Sequence, residues 1–85
     1  MAIHVLYFAS VKEKVGLAEE EVSLPASVAT VGDLMEWLAA RSPNHANAFA
    51  NPGMIKCAVD QTHVPASSLL GNAREVAFFP PVTGG

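Results

Sequence analysis

The carboxylate of the last residue is the group in this sequence best suited to chemistry. Gly84 and Gly85 have no Cβ, so together they can pass through a channel too narrow for any other residue. Pro80 and Pro81 precede them, with Val82 and Thr83 between; proline fixes φ and has no N–H to donate. We therefore expect residues 80–85 to form an extended tail that leaves the last strand and carries a reactive end.

The other residue types that could do chemistry are isolated. His4, His45 and His63 have no metal-ligand spacing, and we expect each to be solvated or partly buried. Cys57 lies in an apolar segment and is interpreted as a small buried side chain. The sequence contains no glycine-rich phosphate loop and no serine elbow. The folded part is therefore predicted to contain no active site.

A carboxylate donates its acyl group only after one of its oxygens becomes a leaving group. ATP achieves this by forming an acyl adenylate, but the sequence has no nucleotide-binding motif. We therefore expect this chain to bind no cofactor, and we expect a partner enzyme to use ATP on Gly85.

Composition limits the classes of partner. The 85 residues suffice for one domain, and the net charge of −3 without a basic run argues against nucleic acid and anionic membranes. The first residues lack the basic region of a secretory signal, and a single cysteine cannot form an internal disulfide, so we expect a cytoplasmic protein. The apolar fraction of 51% indicates either a partner interface or a rich core.

The order of predicted elements indicates an α+β fold. Thr30 and Asp33 resemble a capping box at the start of a helix over 30–41, and helical turns are expected in 10–16 and 46–50. The acidic run 19–21 is interpreted as a solvated strand edge. We predict a ubiquitin-like β-grasp domain over 1–79, with a mixed sheet of about five strands, one main helix on one face, and the first and last strands as parallel neighbours. The predicted strands are 3–9, 20–24, 54–59, 62–64 and 75–79.

Alternation along the strands assigns side chains to two faces of the sheet. One helix covers only one face, yet Phe78 and Phe79 are consecutive and must point in opposite directions. We assign Leu6, Phe8 and Phe79 to the uncovered face. The predicted core consists of Ile3, Val5, Tyr7, Val31, Leu34, Leu38, Val76 and Phe78.

Three segments resemble the small subunits of molybdopterin synthase. These are 75–85, which reads EVAFFPPVTGG, the opening 5–13 with the Val15-Gly16 that follows, and the hairpin 58–62. The resemblance implies a sulfur carrier with the β-grasp fold. An adenylating enzyme related to ubiquitin-activating proteins would charge Gly85 with AMP, and a persulfide donor would convert it to a thiocarboxylate.

The same resemblance implies how the sulfur is used. The tail would enter the active site of the large synthase subunit, in a heterotetramer. There Gly85 would deliver sulfur to cyclic pyranopterin monophosphate, building the dithiolene that later binds molybdenum. His63 departs from the family pattern, where a larger apolar residue is expected, and 71–74 replaces a more acidic turn. The partner-binding positions would be Leu6, Phe8, Lys12, His63, Phe79, Pro80, Pro81, Val82 and Thr83.

Other functions remain open from the residues alone. A carrier for thiamin thiazole synthesis would share the fold and the diglycine. A ubiquitin-like modifier would join Gly85 to a lysine through an isopeptide bond. A plain interaction module would have an inert tail.

Overall fold

The computed structural model describes residues 1–81 and has the predicted α+β order. The strands and helices alternate at first, and three strands then follow one another. The elements are β1 (Ala2–Tyr7), α1 (Ala9–Val15), β2 (Glu19–Ser23), α2 (Val31–Ala39), α3 (Pro43–Ala48), a 3₁₀ turn (Pro52–Met54), β3 (Lys56–Val59), β4 (Thr62–Val64) and β5 (Glu75–Phe79).

The five strands form one mixed sheet in the order β2-β1-β5-β3-β4. β1 and β5 are parallel and adjacent, as predicted, and the other neighbouring pairs are antiparallel. Asp60 and Gln61 both have positive φ (47° and 72°) in the tight turn that joins β3 to β4. The last strand therefore lies at the centre of the sheet, hydrogen-bonded on both sides.

The capping box predicted at the start of α2 is present. Thr30 Oγ1 accepts the Asp33 N–H at 3.1 Å, and Asp33 Oδ2 accepts the Thr30 N–H at 3.1 Å. The helix ends at Ala39, two residues before the predicted end. Ser42, the residue before Pro43, is extended, as residues before proline prefer, so the chain leaves α2 and begins α3 at Pro43.

Three helices, rather than one main helix with turns, pack on the same side of the sheet. α2 is the longest of them, with nine residues. α1 and α3 were expected only as turns, but they contribute Val11, Val15 and Ala48 to the same buried cluster. β3 begins at Lys56 because the preceding residues form the 3₁₀ turn. None of the helices in residues 1–81 is long and apolar enough to cross a membrane.

The predicted core is confirmed. Each of its eight members is at most 1% exposed. On β5 the burial alternates strictly, with Val76 and Phe78 buried and Ala77 and Phe79 only partly so. The alternate residues of each strand point to the opposite face of the sheet, away from the three helices.

The two prolines that follow β5 lie against the folded domain. Pro80 and Pro81 are both half-buried. They line a cavity of about 430 Å³ together with Ser10 and Lys14 of α1 and Asn51 beyond α3. The expectation that these prolines hold the tail extended, away from the domain, concerns the residues that follow them and stays a prediction. Val82, Thr83, Gly84 and Gly85 lie outside the described residues.

Candidate partner-binding face and tail

A row of residues crosses the helix-free face of the sheet at its middle. Leu6 pairs with Ala77, Ala77 with Ala58, and Ala58 with His63, so four strands contribute one residue each. Cross-strand partners point to the same face. Small alanines in the middle and larger residues at the two ends leave a shallow apolar strip.

Phe79 lies one step further along, beside this strip. Its strand partner is Lys56, and its ring centroid lies 5.2 Å from that of His63. The ring is half-buried rather than packed in the core. The residue immediately before the prolines therefore lies beside Lys56 and His63, on the side of the sheet where β3 and β4 follow. Sequence reasoning missed Lys56, because its position beside Phe79 depends on the register of strands distant in the chain.

Phe8 extends the same face beyond β1. Its N–H donates to the Phe78 carbonyl at 3.0 Å, which continues the β1–β5 pairing, and its side chain is 48% exposed. Its carbonyl accepts the N–H of Lys12 in α1. Lys12 itself is exposed on the helix, away from the strand rows. The structure thus brings together Leu6, Phe79 and His63, with Phe8 at the border, but does not bring Lys12 among them.

The strip has an acidic border on the side where β5 begins. His4 pairs with Glu21 on one neighbouring strand and with Glu75 on the other. His4 Nε2 also lies 3.2 Å from Glu19 Oε1. The face is therefore apolar in the middle, acidic towards β2 and the start of β5, and basic around Phe79.

A second polar cluster lies on the helix side of the sheet. The Tyr7 hydroxyl donates to Glu20 Oε2 at 2.7 Å, and His45 Nε2 lies 2.7 Å from the same oxygen. An ionised carboxylate only accepts, so Nε2 carries a proton. Ser42 Oγ, 2.7 Å from His45 Nδ1, also accepts the His45 backbone N–H at 3.1 Å and thereby caps α3.

This cluster changes the protonation behaviour of its members. Burial acts to raise the pKa of Glu20, but the hydrogen bonds from His45 and Tyr7 and the charge of Arg41 outweigh it and hold that pKa below its usual value. Burial, followed by the hydrogen bond to Glu20, raises the pKa of Tyr7 well above its usual range. Both shifts favour an ionised Glu20 and a neutral phenol.

The cluster is structural, although it contains a serine, a histidine and a carboxylate. Ser42 is committed to the N-terminus of α3, and His45 is buried between Ser42 and Glu20. The expectation that Glu20 is solvated is wrong, because alternation along β2 turns it towards the helices while Glu19 and Glu21 stay exposed. No group of three potential metal ligands occurs within residues 1–81. Cys57 is buried as expected, and burial raises the pKa of its thiol.

Comparison with known proteins identifies the family. A model described as the ThiS family matches residues 5–85, which includes the diglycine. The chain belongs to the ThiS family. A family member from Escherichia coli, named molybdopterin synthase sulfur carrier subunit, is 46% identical over 83 residues, covering 98% of this chain and 99% of its own. One of the same name from Haemophilus influenzae is 37% identical, with the same coverage.

Solved structures of similar proteins share the fold. A putative molybdopterin converting factor subunit 1 from Pyrococcus furiosus superposes with a TM-score of 0.77 at 30% identity, covering 96% of this chain and 99% of its own. SAMP1 from Haloferax volcanii superposes with a TM-score of 0.75 at 26% identity over the whole of both chains. The predicted β-grasp fold and the resemblance to molybdopterin synthase small subunits are both confirmed.

Proposed function

We propose that this chain is the sulfur carrier subunit of molybdopterin synthase and that Gly85 is the residue that carries sulfur. The observation that supports it most directly is the family match through residue 85, together with relatives of that name aligned over nearly their full length. In the folded part, the polar cluster around Glu20 is held in structural hydrogen bonds. This is consistent with a carrier whose reactive group lies in the tail.

The chemistry takes place on one carboxylate. An activating partner joins the Gly85 carboxylate to the α-phosphate of ATP, releasing pyrophosphate and leaving an acyl adenylate. Sulfur from a persulfide attacks the acyl carbon, AMP leaves, and reductive cleavage of the S–S bond by a thiol leaves a thiocarboxylate. This chain binds no cofactor, and the ATP is held by the partner.

The thiocarboxylate then donates its sulfur to cyclic pyranopterin monophosphate in the large subunit. A water oxygen replaces the sulfur, and the Gly85 carboxylate is regenerated for another cycle. Gly84 permits passage through a narrow channel because it has no side chain. Two such deliveries supply the two sulfurs of the dithiolene.

The helix-free face is proposed to dock against the large subunit and the activating enzyme in turn. Leu6, Phe8 and Phe79 provide apolar contact area, and Phe79 is directly connected to Pro80 and the tail. His63 contributes at its border, Lys12 on α1 would contact a partner separately from this face, and Pro81, Val82 and Thr83 lead into the channel. We place these events in the cytoplasm, where the lone Cys57 requires no partner.

The decisive experiment is intact mass spectrometry after incubation with the activating enzyme of the same organism, ATP and a persulfide donor. The expected product has one oxygen replaced by sulfur, and tandem fragmentation locates the change at Gly85. A chain lacking Gly85, and one with an alanine appended after it, serve as controls that leave residues 1–81 intact. Conversion of either control to a thiocarboxylate would contradict the proposal.

A second function is favoured by one observation, the full-length likeness to SAMP1. Another similar structure from Haloferax volcanii is that of a protein named small archaeal modifier protein 1. A modifier would attach Gly85 to a lysine of another protein. Tagged chain expressed in its own organism would then appear in trypsin digests as branched peptides, whereas a dedicated carrier gives only the free thiocarboxylate.

A further inference from the structure

One edge of the sheet presents a row of free backbone groups. Within residues 1–81, β2 is the outer strand, and it pairs only with β1. The Tyr7 N–H donates to the Ala18 carbonyl at 2.8 Å, and the Leu24 N–H donates to the Met1 carbonyl at 2.7 Å. Because hydrogen-bonded residues alternate in an antiparallel pair, the even-numbered residues between them face β1. The N–H and C=O groups of Glu19, Glu21 and Ser23 therefore point outward.

β4, at the opposite edge of the sheet, has fewer outward-pointing backbone groups. β4 has three residues, and its tight turn makes Val59 and Thr62 the first hydrogen-bonded pair with β3. By the same alternation only His63 directs both of its backbone groups outward. An added strand would gain three such residues at β2 and one at β4, so β2 is the edge that can accept another strand.

Charges on the two faces differ at this edge. Glu19 and Glu21 project onto the helix-free face, and the Glu19 side chain is 60% exposed. Glu20 projects to the other face, where Arg41 Nη2 lies 3.5 Å from its Oε1. A strand added here would meet negative charge on one face and a positive guanidinium on the other.

We propose that the β2 edge binds an extended segment of another protein that carries Lys or Arg at every second position, with uncharged residues between. The basic side chains lie beside Glu19 and Glu21, and the uncharged ones avoid Arg41. A second copy of this chain fits poorly, because pairing of two β2 strands would bring their carboxylates together on the same face. This edge adjoins the apolar strip at Leu6, the strand partner of Glu19, but binding there does not depend on the chemistry of Gly85.

The test uses the full chain and two capped peptides of alternating sequence, one Lys-Val and the other Glu-Val. Amide chemical shifts should change at Glu19, Glu21 and Ser23 on addition of the Lys-Val peptide. We expect it to bind about fivefold to tenfold more tightly than the Glu-Val peptide at low ionic strength, and the difference should shrink in about 0.5 M salt. A Lys-Val peptide N-methylated at alternate residues should not bind, because it cannot form the ladder.

Charge variants test whether the carboxylates of Glu19 and Glu21 cause the preference for the Lys-Val peptide. Glu19→Gln with Glu21→Gln should remove the preference for the Lys-Val peptide, whereas Glu36→Gln, an exposed change on α2, should preserve it. Equal binding of both peptides to the unaltered chain, or shifts confined to β4 or to the row from Ala77 to His63, would overturn the proposal. So would a double variant that dimerises in sedimentation and still prefers the Lys-Val peptide, since the carboxylates would then serve only to keep copies apart. No activating enzyme enters this assay, so its failure leaves the carrier proposal standing.

Discussion

Phe78 and Phe79 are consecutive in β5, yet their rings belong to different environments. Phe78 is 0% exposed and packs against Phe49, with ring centroids 5.1 Å apart. Phe79 is half-buried on the helix-free face and contacts the ring of His63. One residue anchors the core, and the next is available to a partner.

Alanine substitutions should separate these two roles. Phe78→Ala is expected to lower the free energy of unfolding by about 3–5 kcal/mol, the usual loss for a buried phenylalanine. Phe79→Ala should lower it much less but weaken binding to the large subunit. Thermal melts and titration calorimetry on both variants check this. A larger melting loss for Phe79→Ala would reverse the assignment.

Lowering the pH should decrease the free energy of unfolding, because it protonates Glu20. Its folded-state pKa is held below the usual 4.5, so its contribution to the free energy of unfolding is complete well above pH 4.5. The contribution is lost as the pH falls from about 4.5 through the lower folded-state pKa. Denaturant titrations between pH 7 and 3 should therefore show the stability advantage of the unaltered chain over Glu20→Gln shrinking with acid.

The matched control is Glu21→Gln, which alters the neighbouring exposed carboxylate. The advantage of the unaltered chain over this variant should be small at every pH. An equal pH dependence for the two variants would show that the contacts of Glu20 with Tyr7 and His45 do not set it apart.

The capping box of α2 should be measurable as stability. Thr30→Ala removes the oxygen that accepts the Asp33 N–H, and it is expected to lower the free energy of unfolding by about 1 kcal/mol. Thr30→Ser keeps that oxygen and should retain most of the stability. Chemical denaturation at neutral pH compares the two variants, and equal losses would mean that packing of the threonine methyl matters more than the cap.

The thiocarboxylated chain should be inactive as a synthase without the large subunit. A net charge of −3 and the absence of a basic cluster in the sequence argue against a site for an anionic pterin phosphate. Purified thiocarboxylated chain is mixed with precursor, with and without the large subunit, and the product is followed by fluorescence after oxidation. Comparable rates in both mixtures would place the catalytic site in this chain.

The sequence patterns predicted those features that depend on residues close together in the chain. Alternation assigned Phe78 and Phe79 correctly, and side-chain spacing located the buried face of α2. The contacts of Glu20 could not be predicted in this way, because its partner His45 lies 25 residues away on a helix expected only as a turn. The row from Leu6 to His63 likewise requires the register of strands that are distant in the chain.

The central position of β5 makes the fold depend on residues 75–79. β1 and β3 are not adjacent in the sheet; β5 lies between them and pairs with both. A nascent chain without residues 75–79 has no middle strand and lacks Val76 and Phe78 from its core. Pairing between the first and last strands also closes a long loop, which slows folding. The strand that carries Phe79 into the tail is therefore the same strand that holds the two halves of the sheet together, so the docking face and the core form or fail as one.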